Sequence, residues 1–160
     1  MSKSGSFGVN YTKVFTTADE GLPAVAGDVG SAKVGDFVFV QANGAIAQYA
    51  FVTISDVGQA AEAAGDTGVS QIGVAQVAAA DDEYLWVWIG GAQSGGTGSG
   101  IKGKIAASYV ALADLHTTGT PGEADDTAAA GVKIVGCVAV ANTTGAAAVE
   151  LKAVGHLATT

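Results

Sequence analysis

The 160-residue chain contains no arginine: its seven basic residues are all lysine, set against 15 Asp and Glu for a formal net charge of -8. Nucleic-acid and phosphate recognition draw on guanidinium forks and basic patches, so this balance points away from both partners. The acidity also points away from anionic membrane surfaces. There is one cysteine, Cys137, which excludes an internal disulfide and a cysteine-built zinc site. It lies in the apolar run Ile134 to Ala141, which is far too short to cross a bilayer. Within that run Cys137 reads as a small buried hydrophobe. Met1 to Lys13 carries no apolar core of a signal peptide, so the chain is expected to be soluble and unsecreted.

Charged residues make up only 14% of the chain and apolar ones 49%, enough for one compact domain. The kind of apolar residue matters more than the amount. There are 20 Val and 7 Ile against 6 Leu, with 14 Thr, a β-branched bias that favours pleated sheet over helix. Gly (24) and Ala (32) supply turns and small packing positions without a collagen period. The expected fold is all-β: a single-domain β-sandwich or partly closed antiparallel β-barrel, residues 30–160, preceded by an extended N-terminal arm, residues 1–29. In the arm, Phe7, Val9 and Tyr11 alternate onto one face, with Val14 and Phe15 following, and such a face needs a surface to lie on.

Along the domain, DFVFVQANGAIAQYAFVTI (36–54) holds two β-rich runs split by Asn43-Gly44, which predicts a type I′ hairpin. Residues 56–64 suit a short helix capped by Asp56, weakened by Gly58. A second hairpin is expected across 71–89 with its turn near Asp81-Asp82. Six glycines between Gly90 and Gly100 make a loop. The stretch 101–116 is read as strand, although IAASYVALADL also suits a helix; Pro121-Gly122 marks a turn. A third hairpin is expected from Val132–Ala141 and Ala146–Ala153. Ile72-Gly73-Val74-Ala75, with Val87 and Ile89 downstream, lines up with Val135-Gly136-Cys137-Val138, with Val149 and Leu151 downstream. That likeness fits either a duplicated β unit or the shared grammar of small β domains.

Candidates for chemistry are few. Gly98 to Lys104 fits GxxxxGK, but Ile105 stands where a phosphate-binding loop needs Ser or Thr for magnesium. His116 and His156 have no partner at metal-ligand spacing, no Gly-x-Ser-x-Gly elbow occurs, and Asp81-Asp82 and Asp125-Asp126 fall in turns, where Asp is an ordinary residue. No catalytic, cofactor-binding or metal-ligating residues are assigned, and the chain is not expected to be an enzyme. In Tyr84-Leu85-Trp86-Val87-Trp88-Ile89, period two puts Tyr84, Trp86 and Trp88 on one face and aliphatics on the other. Such a strand is either covered on both faces or displays an aromatic contact strip for protein or sugar.

The arm, Lys33-Val34-Gly35-Asp36 opening a β run, Ile72-Gly73-Val74-Ala75 with Asp81 to Gly91, and Val135-Gly136-Cys137-Val138 before the closing strand together resemble the head decoration, or cement, proteins of tailed bacteriophages, over roughly Gly30 to Leu157. The resemblance implies a homotrimer on the outer capsid surface of the virion, made in the host cytoplasm. Its partners would be itself and the phage major capsid protein, with no nucleic acid, membrane or cofactor. It implies no catalytic residues; the arm, through Phe7, Val9, Tyr11, Val14 and Phe15, would tie capsid subunits together. A carbohydrate- or receptor-binding module using Tyr84, Trp86 and Trp88 is the alternative.

Overall fold

Strict alternation of aliphatic and aromatic side chains shapes the first half of the molecule. In the structure, a computed structural model, residues 8–17, 21–65, 71–91, 100–128 and 131–160 are described. Strands β1 (Val14–Phe15) and β2 (Val29–Ala32) precede β3 (Gly35–Ala42), β4 (Phe51–Ile54), β5 (Gln59–Glu62), β6 (Gln71–Ala75) and β7 (Tyr84–Trp88). β3 runs parallel to β5, while β5–β4, β4–β6, β6–β7 and β7–β3 are antiparallel, which closes a five-stranded barrel. Val38, Val40, Val52, Ile54, Leu85 and Val87 fill its interior as one apolar cluster. The alternate residues Phe37, Phe39, Phe51, Trp86 and Trp88 point outward, yet are buried because other elements cover them. Both faces of this sheet are therefore apolar, which the period-two reading of β7 anticipates.

The second half repeats the plan. Strands β8 (Lys102–Ile105), β9 (Leu115–Thr117), β10 (Ala124–Asp125), β11 (Lys133–Ala139) and β12 (Ala147–Thr159) pair as β8∥β10, then β10–β9, β9–β11, β11–β12 and β12–β8 antiparallel. This is the closed ring of the first barrel, strand for strand. Ala42 pairs with Ala60 as Ile105 pairs with Ala124, and Ala75 with Val87 as Ala139 with Leu151. The loops agree as well. The Tyr49 and Leu112 amides donate to the carbonyls of Ala75 and Ala139, and both residues are left-handed, at φ 67° and 66°. Gly58 and Gly122, both at φ 76°, make the equivalent β4–β5 and β9–β10 turns. Corresponding residues thus lie 63 positions apart at first (42 to 105) and 64 later (87 to 151). The chain is a tandem of two topologically identical barrels. The sequence likeness between residues 72–89 and 135–151 marks the right strands, with a register one residue off in β6/β11 and two off in β7/β12.

Three local expectations are corrected. Residues 56–64 form no helix: Gln59–Glu62 is β5, because Gly58 turns the chain back on β4 and Ala60 takes an interior barrel position. Asn43-Gly44 is not the turn of a two-residue hairpin, since β3 and β4 are not neighbours. The parallel β5 lies between them, and residues 43–50 instead form a cap in which Ile46 bridges Ala79. The segment 101–116 is strand only at Lys102–Ile105 and Leu115–Thr117, with the equivalent cap between. The second and third hairpins form as β6–β7 and β11–β12, and Pro121-Gly122 lies in a turn. Most of the glycine-rich 90–100 loop lies outside the described residues.

Candidate interaction surfaces

The arm lies on its own barrel. β1 pairs antiparallel with β7, Val14 opposite Leu85 and Phe15 opposite Tyr84. Tyr11 stacks on Phe37 with ring centroids 4.9 Å apart, and Phe15 meets Phe39 edge-on at 5.7 Å. Val9 packs against the same cluster, over Gly30 and Trp86. The alternation of Val9 and Tyr11 thus finds its apolar surface within the chain, and these residues, with buried Phe15 and half-buried Val14, are internal packing groups. Val9, Tyr11 and Val14 remain half-exposed there; Phe7 lies outside the described residues. Of the two readings of the aromatic strand, the structure shows the covered one for both indoles. Trp86 and Trp88 are 1% and 0% exposed, the Trp88 indole donates to the Val34 carbonyl at 3.0 Å, and only Tyr84 is half-exposed. No indole face is available for stacking a sugar.

Polar side chains join the two barrels. The buried Gln76 acts as a surrogate peptide on the edge of β8: its Oε1 accepts from the Lys102 N–H at 3.0 Å and its Nε2 donates to the Lys102 carbonyl at 2.9 Å. The Tyr49 carbonyl accepts from the Lys104 amide next along, and Gln48 braces Gln76 through its carbonyl. The tip of the first barrel therefore caps an otherwise open strand edge of the second. Opposite this tip, Phe51 fills space that Gly103 leaves in the second barrel: a Cβ there would lie 2.9 Å from the Phe51 ring and from Leu151 Cδ1. A second tie joins Asp36 at the start of β3 to His156 in β12 at 2.8 Å, with Ser31 Oγ donating to the other carboxylate oxygen at 2.6 Å. Those two hydrogen bonds, Ser31 first and His156 second, hold the Asp36 carboxyl below its ordinary value of 3.8. Because the carboxylate and not the imidazole is central, the trio is a clamp; activating a hydroxyl nucleophile requires the imidazole between acid and hydroxyl.

The remaining sequence candidates lie on caps and strands. Asp81 accepts from the Gly44 amide at 2.7 Å and Asp126 from the Val110 amide at 2.9 Å, each stitching a cap to its barrel. Lys104 is held by Glu123 at 3.2 Å, and Gly103-Lys104 belongs to a strand, not to a loop entering a helix; Gly98 lies outside the described residues. His116 sits on β9 and His156 on β12, and among the described residues no three His, Cys, Asp or Glu converge to hold a metal. Cys137 is buried, which pushes its thiol up to about 12 and leaves it inert.

Two exposed features belong to neither barrel core. An open apolar groove of about 620 Å³ is lined by Leu22, Pro23, Ala24, Val25 and Tyr84, with Asp28 at its side; Val25 is 72% exposed, and Val29 and Val57 are exposed as well. At the tip of the second barrel, Val110 and Leu112 are 59% and 62% exposed. Large apolar side chains grouped on a surface mark interaction sites. Sequence reasoning passed over both, because Leu22–Val29 and Val110–Leu112 carry no motif; only the second-barrel register reveals that Leu112 stands where Tyr49 is half-buried. No protein-family model, curated protein or solved structure matches the chain.

Proposed function

We propose that the chain is a structural virion protein that decorates the outer surface of a tailed-phage capsid as a homotrimer and bridges neighbouring capsid subunits. The sequence resemblance motivates the reading. The observation that carries it is the kind of recognition surface present: apolar patches and a strand edge on a two-barrel body, suited to adding contact area across a subunit boundary. Many copies on one shell turn modest single-site affinity into strong retention. The arm keeps a role, changed in detail. Its anchors Val9, Tyr11 and Phe15 hold β1 on β7, so the part offered to the capsid is the outer edge of β1, which carries no ladder among the described residues and accepts an added strand.

Co-sedimentation with undecorated phage heads tests the reading. Wild-type protein is expected to pellet with heads and saturate; protein left in the supernatant at micromolar concentration would overturn it. The sugar-binding alternative has no support in the geometry, since both indoles are covered.

A further inference from the structure

Of the three asparagines in the chain, only Asn43 precedes glycine. With no side chain on Gly44 to crowd it, the Gly44 backbone nitrogen is sterically open to attack the Asn43 side-chain amide, the route by which asparagine loses ammonia. Asn43 is exposed, and Gly44 is left-handed at φ 92°. The fold does not demand this pair. Ala42 pairs with Ala60 as Ile105 pairs with Ala124. One residue on, the Asn43 amide donates to the Ala60 carbonyl at 2.8 Å as the Ala106 amide donates to the Ala124 carbonyl at 2.9 Å. The second barrel thus enters its cap through Ala106-Ala107, which has no labile amide.

We propose that Asn43-Gly44 is a latent site of spontaneous covalent modification and that Asp81 holds it closed in the folded protein. In the reaction the Gly44 nitrogen gives up its proton to solvent base and attacks Asn43 Cγ. A C–N bond forms, the Cγ–NH2 bond breaks, and ammonia departs with a proton from water. A second water then opens the succinimide to aspartate or isoaspartate. Asp81 opposes the first step, because its Oδ1 accepts the Gly44 N–H at 2.7 Å, a charge-assisted bond that favours the protonated nitrogen, and its negative charge disfavours an anion beside it. This bond and the one from Asn43 to Ala60 also pin the peptide on both sides of the reacting centre. The modified product would be poorly accommodated. It adds a carboxylate at the corner where Asp81 and Asp82 already bond Gly44 and Gln41, and an isoaspartate lengthens the backbone between β3 and the Ile46–Ala79 bridge. The inference is independent of the capsid reading.

The test is a time course of the full-length protein in mildly alkaline buffer, with peptide mapping by mass spectrometry to follow conversion at position 43. Wild type is compared with Asp81→Ala and Asp81→Asn, the second keeping an acceptor oxygen while losing the charge. Asp126→Ala is the control, since Asp126 makes the matching tie to the Val110 amide in the other cap. Near-ultraviolet circular dichroism verifies that each variant is folded, and wild type in urea gives the rate of the open chain without any substitution. Conversion is expected to be at least about tenfold faster in urea than in the folded protein, and about tenfold faster in folded Asp81→Ala than in wild type, the factor that loss of a hydrogen bond to a charged group represents. Asp81→Asn is expected to be faster than wild type as well, and Asp126→Ala to match it. Equal rates in folded and urea-unfolded wild type overturn the proposal, as does an unchanged rate in the Asp81 variants. A slower rate in them also overturns it, by making the carboxylate a general base for the attack. Equal acceleration by Asp126→Ala would show general loosening in place of a direct hold, and overturns it too.

Discussion

At the scale of single residues, the molecule spends its polar side chains on joining strands. Asp36 is the clearest case. Ser31 and His156 hold its carboxyl below 3.8, and a depressed carboxylate contributes stability that is present above the unfolded value and lost as pH falls through the folded one. The thermal midpoint of wild-type protein is therefore expected to drop more steeply below about pH 4 than that of Asp36→Asn, with the two curves parallel above about pH 5. Equal acid sensitivity in both would show that the clamp does not couple to folding. The aromatic residues give a second test. With both tryptophans covered, native emission is expected to be blue-shifted and insensitive to acrylamide. Deleting residues before Thr16 removes Val9, Tyr11 and Phe15 from Phe37, Phe39 and Trp86, so emission should move red and quenching appear. Unchanged spectra would mean that the arm does not rest on this barrel in solution.

At the scale of elements, the joint between barrels depends on an exchange of volume. Gly103 takes the interior position that Val40 takes in the first barrel, and Phe51 enters from outside to fill it. Phe51→Ala should cost about 3–5 kcal/mol through the cavity it leaves, and Gly103→Val about 1–3 kcal/mol through overpacking. The double variant should be more stable than the sum of the two losses implies, because the valine occupies space vacated by the ring. Denaturant midpoints at constant slope measure this; strict additivity would contradict the exchange. This interlock also shows where the sequence is legible and where it is not. Alternation reveals β3, β7 and the two-faced character of Tyr84 to Ile89, since period two is a local property. Asn43-Gly44 misleads because a parallel strand from later in the chain, β5, takes the place beside β3 that a tight hairpin would give β4. The 56–64 helix fails for a related reason: Ala60 and Ala61 are permissive of either state, and pairing with β4 decides. The destination of the arm is equally non-local, since alternation calls for an apolar surface without saying whose.

At the scale of the whole molecule, two barrels of one topology have diverged by surface rather than by plan. The outer face of β3 and β7 carries Phe39, Trp86 and Trp88 beneath an arm, whereas the matching positions of β8 and β12 are Lys102, Glu150 and Lys152. Where the first barrel presents Phe51 to its neighbour, the second presents Asp114, paired with Lys133 at 2.7 Å. The joint made by Phe51 therefore has no counterpart at Asp114 of the second barrel. The duplication was visible in the sequence only as a faint likeness, because equivalent interior positions exchange Val for Gly, Ile for Thr and Leu for Val while keeping their place in the ladder. The role proposed for the molecule is reinforcement of a viral shell. Its most direct test is the thermal disruption of undecorated phage heads, followed by light scattering or dye access to packaged DNA, with and without saturating protein. A clear rise in the disruption temperature, reduced when β1 is deleted, is the predicted result; heads that break at the same temperature with the protein present would contradict it.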